Sequence, residues 1–214
     1  MEDQQNIELE PEYSQVVFGQ GIDKARAYAA ILARDSDTFG LLGPRELPKL
    51  WSRHVLNSGL LGELIQPGDK VVDVGSGAGL PGIPMAIAVP EAHFTLVEPM
   101  ERRSSWLASV VQELGLENVE VIRSRAEDLE RTDFTVATAR AVAALDRLLR
   151  LLTPLIRGSK SGTVLAMKGS KAPEEIQLAA KRMERLGFEA PEILTLGEGK
   201  APETATVVRI RLKA

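Results

Sequence analysis

Residues Val71 to Pro84 read Val-Val-Asp-Val-Gly-Ser-Gly-Ala-Gly-Leu-Pro-Gly-Ile-Pro, and this stretch decides the fold. Val71, Val72 and Val74 form a β-branched run of the kind that fills a buried parallel strand. Gly75, Gly77 and Gly79 then allow a tight turn whose backbone N–H groups can approach a ligand closely. The apolar residues that follow can continue as a helix. The spacing Asp-x-Gly-x-Gly-x-Gly differs from the dinucleotide fingerprint Gly-x-Gly-x-x-Gly: an acid sits at the strand end and the third glycine comes one position early. A glycine-rich turn that binds nothing is the plainer account. Against it stands His93 to Glu98, which reads as a second strand ending in an acid. Glu98 lies near the separation of roughly 20 residues typical of a ribose-binding acid, and a carboxylate there accepts from both ribose hydroxyls.

At 214 residues with 44% hydrophobic content, the chain suits one domain with one core and a small appendage. It has no cysteine, which removes disulfides and thiolate chemistry, and its two histidines lie far apart, which disfavours a metal centre. No run of 18 apolar residues is present, so no membrane span is expected. The opening MEDQQNIELEPEY is acidic and lacks a signal-peptide core, so a cytoplasmic protein is expected. Net charge is −4, but the distribution is uneven. Met1 to Gly43 carries eight acids against three bases, and Arg140 to Arg185 ten bases against four acids. The basic half suits a polyanionic partner; solvated helix faces are the alternative.

Residues 1–20 read as a loosely held lead-in. Ile22 to Arg34 reads as a helix with Asp23 as N-cap. Gly43-Pro44 marks a turn, and Pro48 is placed to start a helix running to about Asn57. On that helix Leu50, Trp51, His54 and Val55 share one face and Lys49 and Arg53 the other, which favours a core histidine with a hydrogen-bond partner over the alternative, a catalytic one. Strands are predicted near 70–75, 93–98, 118–123, 133–138 and 162–167, and helices near 81–89, 101–115, 143–152 and 173–186. Such alternation implies a parallel sheet with right-handed crossovers. Glu192 to Leu196 and Thr204 to Leu212 then form a terminal hairpin, the second strand showing one wet, basic face through Arg209, Arg211 and Lys213.

Four sites should meet at the carboxyl edge of such a sheet. The glycine turn and Glu98 are two. The third is Ser124-Arg125-Ala126-Glu127-Asp128 after strand three, with N-capping by Ser124 as the structural alternative. The fourth is Thr138-Ala139-Arg140-Ala141 after strand four, where Arg140 is placed to clamp a ligand, a surface salt bridge being the structural alternative.

The acidic glycine motif, with Asp73 before Gly75, resembles motif I of S-adenosylmethionine (SAM) methyltransferases. By that likeness the third corner contacts adenine and the fourth meets the methyl acceptor. The chain lacks the Asn/Asp-Pro-Pro-aromatic corner usual for exocyclic amines and the cysteine needed at pyrimidine C5. Guanine N7 needs neither, because its lone pair is already available, so alignment and exclusion of water suffice. Donors such as Arg140 and Lys168 would hold O6 or phosphate.

More specific matches follow. Asp73 to Pro84, Arg45, Trp51 and Arg53-His54-Val-Leu-Asn-Ser58 resemble the RsmG (GidB) family of 16S rRNA guanine-N7 methyltransferases. Arg125-Ala-Glu127, Ala139-Arg-Ala-Val-Ala143 and Met167-Lys-Gly169 do so as well. Gly40-Leu-Leu-Gly43 and Asn57-Ser58 depart from the family's usual Asn-Leu-Thr and Asp-Ser. The resemblance implies methyl transfer from SAM to N7 of a guanine (position 527) in the 530 loop of 16S rRNA, releasing S-adenosylhomocysteine. The implied partner is the small ribosomal subunit or its precursor, with no metal and a monomeric enzyme. The implied fold is a class I SAM-dependent methyltransferase: a Rossmann-like, seven-stranded, mostly parallel α/β sheet with a C-terminal antiparallel hairpin. An N-terminal helical extension (1–66) would pack on the SAM-binding domain (67–214) as one unit. Cofactor contacts are expected at Asp73, Gly75, Gly77, Gly79, Leu80, Glu98, Ala126, Glu127 and Arg140. Catalytic positions are Arg140 and Lys168, and RNA contacts Lys49, Arg53, His54, Lys168 and Lys171. The alternatives are a small-molecule or protein methyltransferase and a SAM-binding ribosome-assembly factor without catalysis.

Overall fold

The computed structural model describes residues 7–140 and 143–213. The first six residues of the lead-in, and Ala141 and Val142 of the Ala139–Ala143 motif, lie outside the described residues. Short β-branched runs separated by helices produce five parallel strands: β1 (Lys70–Val74), β2 (His93–Val97), β3 (Val119–Ile122), β4 (Val136–Arg140) and β5 (Thr163–Lys168). The chain ends in a hairpin of β6 (Glu192–Leu196) and β7 (Ala205–Arg211), and β7 inserts antiparallel against β5. The seven strands run in the order β3-β2-β1-β4-β5-β7-β6. The order reverses between β1 and β4, which opens a crevice at their carboxyl ends.

Side chains alternate across the sheet, so each strand feeds two cores. Val72, Val74, Val164, Ala166, Val208 and Ile210 pack with the leucines of α6 (Leu145–Ile156) and with Ala179 and Met183 of α7 (Ala172–Leu186). Val71, Leu165 and Val207 face the other way, toward Met85 and Ala86 of α4 (Gly82–Ala88). On that side lie α1 (Ser14–Phe18), α2 (Ile22–Phe39) and α5 (Glu101–Glu113). Tyr28 and Leu32 of α2 share a core with Leu80, Ile83 and Leu107.

The N-terminal region departs most from the sequence reading. From Glu8 onward the lead-in is held in place: the Glu8 carboxylate accepts from the backbone N–H of Trp51 and of Ser52, both at 2.9 Å, and Phe18 is buried. Those two N–H groups open a helical segment and have no carbonyl in it to bond, so an outside acceptor satisfies them. Helix α2 extends to Phe39, closed by Gly40 at φ +62°. Asp23 does not cap it; its carboxylate pairs with Arg26 and Gly21 occupies the cap position. Pro48 does not start a helix either. It lies inside a 3-10 turn (Pro44–Lys49), followed by a π-helix (Leu50–Leu56), the short α3 (Asn57–Gly59) and a second 3-10 turn (Leu60–Leu64). Between Leu50 and Leu61 only Arg53 is exposed, so this broken helix is buried almost all round.

Three smaller corrections concern strand ends. Thr138, Ala139 and Arg140 belong to β4 rather than to the loop after it, because pairing with β5 continues to Arg140 opposite Met167. Ser124 does not cap a helix; its hydroxyl donates to the Arg125 carbonyl. The basic face of β7 is not free: Arg209 and Arg211 both pair with Glu192 across the hairpin at 2.5 Å.

Candidate active site

The turn after β1 takes its shape from its glycines. Gly75, Gly77 and Gly79 adopt φ values of +68°, +56° and +84°, a region that side chains disfavour. The Gly75 N–H donates to the Val97 carbonyl at 2.8 Å, so the turn is anchored to the end of β2. Asp73 braces it from behind. Its Oδ2 accepts from the Ser76 hydroxyl at 2.6 Å and the Gly82 N–H at 3.0 Å, joining the strand, the turn and α4. The side chain is 1% exposed and burial pushes its carboxyl up to about 6. Asp73 therefore shapes the turn and does not line the cavity in front of it. Gly79 also stays out of that lining, with Ile83 packed over the place a Cβ would take.

In front of the turn lies a cavity of about 610 Å³ bounded by Gly75, Ser76, Gly77, Leu80, Glu98, Met100 and Arg140. Leu41, Leu42 and His54 of the N-terminal region close its other side. Glu98 is buried at the end of β2; its Oε2 accepts from the Gly77 N–H at 3.0 Å and its Oε1 from the Met100 N–H at 2.9 Å. Each oxygen keeps a further lone pair for a hydroxyl donor. A carboxylate, the backbone of the glycine turn and apolar surface at Leu80 and Met100 together fit a nucleoside cofactor of the SAM type. Ala126 and Glu127 are not brought into this cavity: Ala126 is buried and Glu127 is exposed beyond β3.

A second cavity, of about 660 Å³, adjoins the first. Asn57, Lys168, Glu175, Glu203 and Thr206 line it, and Arg53 and Arg140 line both cavities. Lys168 donates to the Ala143 carbonyl at 2.7 Å and pairs with Glu175 Oε2 at 2.9 Å, an oxygen that also accepts from the Leu145 N–H. Lys168 thus faces the cavity already paired. Lys49 and Lys171 are exposed and line neither cavity.

Arg140 ends β4 in the shared wall. No carboxylate forms an ion pair with it among the described residues; its Nη1 donates to Ser58 Oγ at 3.3 Å and its Nη2 to His54 Nδ1. Burial pushes the guanidinium pKa below its usual value. On the far side of the ring, His54 Nε2 donates to Glu46 Oε2 at 2.8 Å. Burial, then the Arg140 charge, pushes the imidazole down to about 4, so it is neutral at physiological pH. The reading of His54 as a core histidine with a partner holds. Its assignment as an RNA contact does not, because it is 4% exposed and both ring nitrogens are engaged.

Sequence reasoning missed Glu46 and Tyr28. Glu46 lies eight residues before His54, across a change from 3-10 to π register that no periodicity reveals. Tyr28, in the middle of α2, donates to the Ala78 carbonyl of the glycine turn at 2.7 Å. Its apolar helix face signalled burial, not this partner. Among the described residues no group of three acids or histidines is arranged to hold a metal ion, and no helix is long and apolar enough to cross a membrane.

The family model described as rRNA small subunit methyltransferase G (GidB) matches residues 21–203. A protein named ribosomal RNA small subunit methyltransferase G from Pseudarthrobacter chlorophenolicus is 50% identical over 195 residues, covering 91% of this chain and 89% of its own. One of the same name from Mycolicibacterium smegmatis is 46% identical over 213 residues, covering 98% and 89%. Among solved structures, a SAM-dependent methyltransferase from Aquifex aeolicus superposes with a TM-score of 0.54 at 20% identity, covering 72% of this chain and 88% of that one. M. jannaschii TYW2 in complex with AdoMet gives 0.55 at 18% identity, covering 73% and 74%. These two share the class I methyltransferase fold. The chain belongs to the GidB family of rRNA small subunit methyltransferases.

Proposed function

We propose that this GidB-family chain methylates 16S rRNA of the small ribosomal subunit in the cytoplasm, using SAM, and that the acceptor is N7 of the guanine at position 527 in the 530 loop. The observation that carries the reading is Arg140: a half-buried cation with no carboxylate ion pair among the described residues, placed in the wall between a nucleoside-sized cavity and a second, polar one. A partly desolvated charge without a counter-ion is costly unless a ligand completes it.

The chain's residues divide the task. Glu98 takes the ribose hydroxyls, the backbone of Gly75 and Gly77 lines the cofactor cavity, and Leu80 gives it an apolar wall. Ala126 and Glu127 do not line this cavity but follow β3, next to the strand that carries Glu98, and are assigned to the adenine edge on the family resemblance. Arg140 and Lys168 hold the acceptor base or its phosphate in the second cavity. Lys49, Arg53 and Lys171 offer charge to the RNA backbone around it. SAM supplies a methyl carbon on a sulfonium; the N7 lone pair bonds to that carbon, the carbon–sulfur pair stays on sulfur, and S-adenosylhomocysteine leaves. No proton must be removed before attack, so the site needs alignment and water exclusion rather than a base. Its residues agree: the only histidine at the shared wall is locked between Arg140 and Glu46.

The experiment is to map 7-methylguanosine in 16S rRNA from cells with and without the gene. Loss of the modification at position 527 alone is the expected result. An unchanged map, with labelled methyl entering a small molecule or protein instead, would replace the rRNA acceptor.

A further inference from the structure

We propose that Glu46, His54 and Ser58 form a positioning relay that sets the direction of the Arg140 guanidinium in the wall between the two cavities. The inference rests on the methyl-transfer reading above, and it assigns the N-terminal helical layer a part in the chemistry.

A guanidinium only donates, so His54 Nδ1, which faces it, must present a lone pair. The ring proton is then on Nε2, where Glu46 Oε2 accepts it at 2.8 Å. The two neighbours select one neutral tautomer, and a second proton on the ring would set two cations against each other in a buried place. Ser58, four residues beyond His54, takes Nη1 at 3.3 Å. Arg140 is therefore gripped at both terminal nitrogens by residues of one broken helix.

The choice of imidazole has a consequence. A carboxylate at this place would neutralise Arg140 and occupy its fork bidentately. A neutral ring takes one donor and leaves the positive charge intact. Among the described residues, His54 and Ser58 engage two of the five N–H donors of the guanidinium, which does not exhaust its capacity to hold a ligand. Glu46 remains one bond removed, where it fixes the ring and also lies 3.7 Å from Arg53 Nη1. Both arginines of the shared wall are thus referred to the same carboxylate.

Two substitutions separate positioning from mere packing. In His54→Asn the side-chain oxygen can overlay Nδ1 and still accept from Arg140. In His54→Gln the amide reaches the Nε2 position, toward Glu46, and Arg140 loses its acceptor. Single-turnover methyl transfer to small subunits, at saturating SAM and RNA, should be at least about tenfold slower in His54→Gln than in His54→Asn. Thermal stabilities are measured alongside, and the rate order must not follow them. Equal rates, or the reverse order, would overturn the relay. A second measurement uses the unmodified free protein: nitrogen NMR of the His54 ring at neutral pH. A protonated Nε2 and bare Nδ1 are expected, with slowed rotation of the Arg140 guanidinium. The opposite tautomer or a freely rotating guanidinium would overturn the proposal even if neither variant folds. Failure of the wild-type protein to methylate rRNA would sink the acceptor assignment instead, and the ring tautomer would still decide the relay.

Discussion

The Tyr28 hydroxyl donates to the Ala78 carbonyl at 2.7 Å, a bond between the middle of α2 and the glycine turn. Both groups are buried, so the N-terminal layer holds the loop that faces the cofactor cavity. Tyr28→Phe keeps the ring's packing and strands the carbonyl. The expected cost is about 1–2 kcal/mol of stability, since an orphaned buried acceptor loses more than the net value of a hydrogen bond. SAM affinity should fall with it. Denaturant titration and calorimetry measure the two effects, and unchanged values in both would show that the loop needs no such tether.

Glu98→Ala should weaken SAM binding by roughly 1.5–3 kcal/mol through loss of charge-assisted hydrogen bonds to ribose. The structure adds a second effect: the Gly77 and Met100 N–H groups lose their acceptor, so the turn itself should loosen. Calorimetric titration with SAM and, separately, with NAD reads both specificity and affinity. Wild-type SAM affinity in the variant would remove Glu98 from the site.

Two buried groups should respond to pH in opposite directions. Asp73 is raised to about 6, so the folded state holds its proton where the unfolded state has lost it; stability from this group is present below about pH 4 and declines as pH rises through 6. His54 is lowered to about 4, so its contribution is full above pH 6.5 and declines as pH falls toward 4. Relative to wild type, Asp73→Asn should become less damaging as pH rises from 4 to 7, and His54→Asn less damaging as pH falls over the same range. Each drift should be on the order of 3 kcal/mol. Unfolding free energies across that range test it; drifts of the same sign would contradict one of the assignments.

Binding of 16S rRNA should weaken steeply with salt despite the acidic overall charge, because phosphate contacts release counterions. Neutralising Lys49 or Lys171 should lower the slope of log affinity against log salt by about one each. Arg140→Ala should cut the single-turnover rate at saturating RNA and SAM at least about a hundredfold, since a misaligned acceptor forfeits the proximity contribution. A salt-independent affinity would point to a small-molecule acceptor.

Much of this molecule follows from local sequence. The run Val71–Val74, the three glycines and the helix from Gly82 form in that order because strand propensity, positive φ and apolar periodicity each act within a few residues. The alternation of strands and helices, the terminal hairpin and the acid at Glu98 are legible for the same reason. The broken helix from Pro44 to Leu64 was not, because its changes between 3-10, π and α register fit no single periodicity, and from Leu50 to Leu61 it is buried on nearly every side. Tertiary structure alone decided what His54 does. Its sequence position marked it as buried, but its tautomer and charge come from Glu46 on one side and Arg140, 86 residues away, on the other. Likewise Asp73 is readable as the motif's acid, yet only the packing of Ser76 and Gly82 onto it shows that it braces the turn. Hydrogen bonds that reach across the chain are set by which surfaces the sheet brings together, and burial then fixes the protonation that local sequence leaves open.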